Sequence, residues 1–128
     1  MLTFQASTVS AEYDENEVLI IGFADLQADG EPNHYFMIQH LEEYDEQDVE
    51  LGIDTYYIER DGQGYSTYGG IQKIGLSFRQ IRVELNEVGQ KRLEVPGIII
   101  HLNLTDEGYS HLQQQLRKVF DEQILRIE

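Results

Sequence analysis

The chain has 128 residues, of which 41% are hydrophobic, so it can bury a core and is not a candidate for wholesale disorder. Cysteine is absent, which excludes disulfides and thiolate metal sites, and no apolar run approaches the roughly 20 residues that a membrane-spanning helix needs. The formal net charge is −15, and residues 1–61 hold sixteen acidic residues against the single base Arg60, whereas residues 62–128 are balanced. Such a field disfavours nucleic acids and anionic membranes and favours cationic partners, although simple solvation is the plainer alternative.

The first half of the chain predicts β-strands. Residues 2–10 predict a half-buried strand, because positions 2–7 of this segment alternate apolar and polar side chains. Residues 18–24 (VLIIGFA) are apolar on both faces, as in a central strand, and residues 34–42 predict a third strand. Residues 44–52 indicate a loop or one short helical turn. Residues 53–60 are rich in β-formers and predict a fourth strand.

The second half predicts a hairpin and a further strand. Residues 61–70 contain four glycines and indicate a loop or an irregular hairpin connection, with glycines serving turns of positive φ. Residues 71–78 and 80–86 are typical of two strands joined by a tight turn. Residues 87–97 form a polar connection, and residues 98–104 predict another strand with one apolar face.

The last element changes to a helical period. Thr105 can cap a helix, and apolar side chains then recur at helical spacing and should pack on the sheet: Tyr109, Leu112, Leu116, Val119 and Phe120. The sequence therefore predicts a single domain, residues 1–128, of the α+β class. It has a mostly antiparallel, curved β-sheet of about seven strands, with one C-terminal helix packed on it.

Patterns for catalysis or metal binding are weak. Carboxylates are abundant, but none of them forms a pair set among the apolar groups that would raise a pKa, and tryptophan is absent. The acidic residues 45–52 lack the ligand spacing of a calcium loop, and the four histidines lack paired spacing for zinc. No nucleophile or phosphate-loop motif is present. We predict no catalytic residue, no metal and no cofactor, with a small carboxylate-based hydrolase as the weaker alternative.

The tyrosines point instead to a binding surface. Five of the eight lie within residues 44–68, interleaved with the densest acids. Tyrosine offers large contact area and a hydrogen-bonding tip, which is why it is enriched at interface hot spots. Tyr56 and Tyr57 are neighbours on one predicted strand, so one of them belongs to the core. We predict a partner-binding site that comprises Tyr44, Asp45, Glu46, Asp48, Glu50, Asp54, Tyr56, Glu59, Tyr65 and Tyr68.

The block DEQDVELGIDTYYIE (45–59), followed by YGGI (68–71), resembles the immunity protein 10 family of bacterial polymorphic toxin systems. The likeness extends more loosely over most of the chain, through VLIIGFAD, YFMIQH, QIRVEL and LQQQLRKVF. The resemblance implies a small, largely β protein of the cytoplasm that binds and neutralises a cognate toxin, without catalysis or a cofactor. It does not identify the toxin, nor whether the motif contacts the partner or serves the fold.

Residues and resemblance together predict an immunity protein, not an enzyme. We expect it to bind a cognate protein toxin that has a basic surface, through the acidic, tyrosine-bearing region. Neither nucleic acid nor membrane is expected as a partner, the cytoplasm is the expected location, and a homodimer is left open. The alternative is an acidic interaction or regulatory module without a toxin partner.

Overall fold

The computed structural model describes residues 1–52 and 55–128, and within them ten strands form two five-stranded sheets. The first sheet has the order β1-β9-β8-β7-β10, and its strands are β1 (Leu2–Gln5), β7 (Ile71–Ser77), β8 (Gln80–Leu85), β9 (Gly97–His101) and β10 (Leu125–Ile127). The second sheet has the order β2-β3-β4-β5-β6, and its strands are β2 (Thr8–Tyr13), β3 (Leu19–Leu26), β4 (Pro32–His40), β5 (Tyr57–Arg60) and β6 (Ser66–Tyr68).

Three helices accompany these sheets in the described part of the chain: α1 (Glu46–Glu50), α2 (Glu87–Leu93) and α3 (Asp106–Val119). None of the helices described is long and apolar enough to cross a membrane. The predicted α+β class with a C-terminal helix is confirmed, and so is the mostly antiparallel pairing. The strands number ten instead of about seven. Only β1 with β9 and β7 with β10 pair in parallel, because both chain ends join the first sheet at its edges.

The predicted strand over residues 2–10 is divided between the two sheets. The amide of Ala6 donates to His101 O in the first sheet at 2.9 Å, whereas the amide of Ser7 donates to Ala24 O in the second at 2.8 Å. Two adjacent amides therefore bond in different sheets, and the chain passes from β1 to β2 at this corner. The inward side changes phase at this corner, because Ala6 is buried before it and Val9 and Ala11 face the core after it, with Ser7 and Thr8 both exposed between them. The prediction of one strand over residues 2–10 missed this change.

Helix α2 lies where a polar connection was predicted. Asn86 caps it by accepting from the Gly89 amide at 3.0 Å, and Glu94 ends it in the left-handed conformation. Of its own residues, only Gly89 and Leu93 are buried, so the segment has almost no apolar stripe. Without that stripe the helical period is not visible in the sequence.

One hydrophobic core joins both sheets and α3. Alternate residues of the central strands are fully or almost fully buried, among them Ile21, Phe36, Ile81 and Ile100. Burial of such side chains contributes about 1.5–3 kcal/mol each. The predicted helix stripe is confirmed, since Leu112, Leu116 and Phe120 belong to this core and Tyr109 and Val119 pack against it. The predicted cap is also confirmed, because Thr105 Oγ1 accepts from the Gly108 amide at 3.0 Å.

The acidic half of the sequence forms most of the second sheet, and the half with balanced charge supplies most of the first sheet. All strands of the second sheet come from residues 8–68, which contain one base, Arg60. Arg60 shares the inward side of β5 with Ile58, and its Nε and Nη2 atoms donate to Leu93 O at 2.9 and 2.7 Å. The other eight bases belong to the first sheet, to α2 and α3, and to their connections.

Candidate functional site

The second sheet has an uncovered side, which we call the outer face. Alternation along β4 sends Phe36 and Ile38 into the core and turns Tyr35, Met37 and Gln39 the other way. The register between the strands extends this surface across the whole sheet. Its members are at least partly exposed, apart from Glu59, and they are Thr8, Ser10, Ile20, Gly22, Ala24, Tyr35, Met37, Gln39, Tyr57, Glu59, Ser66 and Tyr68.

The centre of the outer face is concave. Ser10, Gly22, Met37, Glu59 and Ser66 lie directly opposite one another on the five strands and form one row across the sheet. Because Gly22 has no side chain, the row is open on one side of Met37. The resulting hollow has a volume of about 350 Å³ and is lined by residues that include Gly22, Met37 and Glu59.

A buried carboxylate lies at one side of this hollow. Glu59 is only 6% exposed, and its two oxygens accept from two phenols. Tyr57 Oη donates to Oε1 at 2.7 Å, and Tyr35 Oη donates to Oε2. Burial, reinforced by the hydrogen bond to Glu59, raises the pKa of Tyr35 to about 12. Burial also raises the pKa of Tyr57, so both phenols stay protonated and donate at neutral pH.

A second, smaller pocket of about 180 Å³ lies where α1 meets the outer face. Tyr44 and Asp48 belong to the acidic segment, residues 42–50, and line this pocket together with Gln39, Tyr57 and Tyr68 from the sheet. The rings of Tyr57 and Tyr68 are in contact, with their centroids 5.2 Å apart. The structure therefore brings Tyr44, Asp48 and Tyr68, three of the predicted site residues, to one place.

The acidic segment itself is exposed and partly apolar. Val49 and Leu51 are 56% and 63% exposed, next to the acids Glu46 and Glu50. Helix α1 has no buried residue, so packing contributes little to its stability. It begins with a capping box, in which Asp45 Oδ1 accepts from the Asp48 amide at 2.8 Å and Asp48 Oδ2 accepts from the Asp45 amide at 3.2 Å.

A comparison with protein families assigns the chain. The model of immunity protein 10 matches residues 5–110, which include the whole second sheet, α1 and α2. The chain belongs to the immunity protein 10 family. The resemblance seen in the sequence is thereby confirmed, and the protein is an immunity protein by family. No curated protein and no solved structure matches it significantly.

Several predicted site residues of this immunity protein also have contacts within the fold. Tyr56 packs against the core, its ring meets Phe120, and its oxygen accepts from the Ile71 amide at 2.9 Å. Tyr65 lies beneath the Arg60 guanidinium, whose carbon is 3.9 Å from the ring centroid. Asp45 and Asp48 cap α1. The predicted residue Asp54 lies outside the described residues.

The outer face adds residues that the prediction for this immunity protein omitted. Tyr35, Met37 and Gln39 precede the acidic segment, and Tyr57 is the outward member of the Tyr56–Tyr57 pair. The strand predicted over residues 34–42 was the available signal, because neighbouring side chains on a strand point to opposite faces. It shows which side chains share a face, but not which of the two faces another layer covers.

Candidate chemistry is limited in the described residues. Nowhere in them do three or more His, Asp or Glu side chains lie close enough together to hold a metal ion. The lining of the central hollow includes one carboxylate, Glu59, whereas the carboxylate mechanism of glycoside hydrolysis uses two.

Proposed function

We propose that this immunity protein neutralises a cognate toxin by binding it through the outer face and the adjoining acidic segment, residues 42–50. The observation that carries the proposal is the convergence of tyrosines, exposed apolar side chains and acids on one side of the second sheet. Family membership supports a toxin as the partner, and the surface supplies the means of contact.

The charge of this region favours a basic toxin surface. The outer face has no lysine or arginine among its members, and the acidic segment beside it contributes Glu42, Glu43, Glu46 and Glu50. A positive surface would be attracted from a distance and oriented before contact, which raises the association rate. Glu43, Glu46 and Glu50 are exposed and make no hydrogen bond or ion pair with any described residue, so they are available to a partner.

The tyrosines favour close contact once the partner has arrived. Tyr68 is 45% exposed, and its ring packs against that of the half-buried Tyr57. Because this contact already restricts the Tyr68 side chain, binding a partner costs little further side-chain entropy. Val49 and Leu51 extend the apolar area across α1. Interfaces of this kind combine an aromatic centre with a charged rim.

The test uses the toxin domain encoded directly beside the gene of this protein. Titration calorimetry should show saturable binding, and toxin activity should fall in step with complex formation. The association rate should fall markedly between low and raised salt, since charges further apart than about 10 Å are screened at 0.1 M. An absence of binding would contradict the proposal, and a rate independent of salt would contradict its electrostatic part.

A further inference from the structure

We infer that Glu59 is the receptor for a lysine or arginine side chain of the toxin, which enters the hollow beside Gly22 on the outer face. The inference rests on the proposed function and names the contact at the centre of that surface. It depends on three observations, namely the missing cation at Glu59, the shape of the hollow and the aromatic groups around it.

The first observation is a buried charge without a counterion. Glu59 forms no ion pair with any described residue, and its partners are the two neutral phenols of Tyr35 and Tyr57. Its neighbours directly opposite on β4 and β6, Met37 and Ser66, are neutral as well. A buried carboxylate is costly unless it is both hydrogen-bonded and paired.

A nearby carboxylate shows how the fold supplies a cation where it needs one. Asp61, two residues further along, is paired with Arg60 Nη1 at 3.3 Å and with His34 Nδ1 at 3.0 Å. Arg60 turns to the inward side of β5, away from Glu59. The two carboxylates therefore differ in that Asp61 pairs with a cation of the fold, Arg60, whereas Glu59 pairs with none among the described residues.

The second observation is that the hollow gives access to Glu59. Gly22 lies in the same row as Met37 and Glu59, and a Cβ at this position would already lie 3.4 Å from Ser10 Oγ. The absence of a side chain at Gly22 leaves room for the end of a long, flexible side chain. Ala24 and the exposed Leu26 line the rest of the hollow and suit the methylene stem of lysine or arginine.

The third observation is the phenol ring beside the carboxylate. Tyr35 lines the hollow together with Glu59, so a cation entering there would meet an aromatic ring as well as the carboxylate. A cation near an aromatic face is attracted by the ring, more strongly when water is excluded. Tyr35 and Tyr57 already fix the carboxylate, so little reorganisation is needed when a cation binds.

If Glu59 served only as the acceptor that fixes two tyrosines, removal of its charge would leave toxin binding by a folded variant unchanged. Glu59→Gln keeps the size of the side chain and one carbonyl acceptor but removes the charge. We expect it to weaken binding of the co-encoded toxin domain by tenfold or more in calorimetry. The matched control is Glu84→Gln, an exposed position on β8 of the first sheet, which should change Kd less than twofold.

A second variant keeps the inference testable if Glu59→Gln unfolds. Met37 lies directly opposite Glu59. The ammonium group introduced by Met37→Lys can therefore pair with the carboxylate and prevent a lysine or arginine of the toxin from binding there. We expect Met37→Lys to weaken toxin binding at least tenfold while urea unfolding shows no loss of stability. Met37→Gln, of similar length and without charge, removes the same apolar contact but leaves the carboxylate without a cation, so it should lose clearly less affinity than Met37→Lys.

The outcomes separate the inference from the function on which it rests. If the unmodified protein binds the toxin, and Met37→Lys and a folded Glu59→Gln both bind equally well, the cation receptor is wrong and the proposed function stands. If the unmodified protein does not bind the toxin, both fall. A loss of binding in Met37→Lys at least tenfold greater than in Met37→Gln supports the inference, and equal losses in the two Met37 variants contradict it.

Discussion

The Tyr35 hydroxyl donates a hydrogen bond to the carboxylate of Glu59, across two neighbouring strands of the second sheet. Tyr57 donates to the other oxygen from two residues along the same strand. The three side chains hold a charge at the surface of the fold while nearly removing it from water. The same hydrogen bonds therefore stabilise the sheet and fix the position of the carboxylate on its outer face.

Removal of the Tyr35 hydroxyl should destabilise the protein. Tyr35→Phe leaves one oxygen of a buried carboxylate without its donor, and such losses cost about 1–3 kcal/mol. Urea unfolding measures the change in the free energy of unfolding. Tyr68→Phe is the control, because Tyr68 is 45% exposed and its hydroxyl makes no hydrogen bond to any described residue, so its effect should be within about 0.5 kcal/mol. Equal stability of Tyr35→Phe and the unmodified protein would contradict the role of this bond.

Stability should fall in strong alkali partly through the same tyrosine. The pKa of Tyr35 is raised from 10.0 to about 12 in the folded state, so between these values the folded state keeps a proton that the unfolded state has lost. The contribution of Tyr35 is therefore complete below pH 10 and is lost as the pH rises towards 12. Unfolding free energies measured over this range should fall less steeply in Tyr35→Phe. Identical slopes would show that this phenol is not perturbed.

The close approach of Gly89 and Gly70 should leave no room for a side chain where α2 meets the connection from β6 to β7. A Cβ on Gly89 would lie 2.2 Å from the carbonyl oxygen of Gly70, and that oxygen accepts from the Asn86 amide at 2.9 Å. Backbone atoms on both sides leave no room for relief, so Gly89→Ala should lower the melting temperature by several degrees. Gly64→Ala is the control, since its Cβ would meet nothing within 4 Å. An unchanged melting temperature for Gly89→Ala would contradict the close approach.

Charge reversal on the acidic segment should slow association with the toxin. We choose Glu43, Glu46 and Glu50, each changed to Lys, and leave Asp45 and Asp48 intact because they cap α1. The association rate, measured by stopped flow at low salt, should fall tenfold or more.

The control for this experiment changes the net charge equally at a different place. Glu84, Glu107 and Glu122 are exposed on β8, on α3 and after α3, and they can be changed to Lys together. This variant should slow association much less, because steering depends on where the charge lies. Equal effects of the two triple variants would show that only total charge matters.

Patterns of side-chain period predicted most of the fold. Strand β8 follows from alternation, β3 from its apolar run, and the helix with its Thr105 cap from helical spacing and capping chemistry. The pattern did not predict that Ala6 and Ser7 bond in different sheets, because a change of phase over two polar residues does not by itself distinguish a corner from an irregular strand. It also could not predict the three-residue strands β6 and β10, which are too short to establish a period.

The candidate site was predicted by region more than by residue. The density of acids and tyrosines identified residues 42–68, and Tyr44, Asp48 and Tyr68 do meet at one pocket. Tyr56 turned inward and Tyr57 outward, a choice that depends on which face of β5 meets the core. Tyr35 and Met37 come to the site through strand pairing, which the local sequence does not contain.

The two methionines offer a direct test of the proposed toxin-binding surface. Met37 lies at the centre of the outer face, whereas Met1 lies against Gly97 of the first sheet. In protein labelled with ¹³C at the methionine methyl groups, addition of the co-encoded toxin domain should shift or broaden the Met37 signal and leave Met1 unchanged. Tight binding with an unperturbed Met37 signal and a shifted Met1 signal would place the toxin on the first sheet and contradict the proposal.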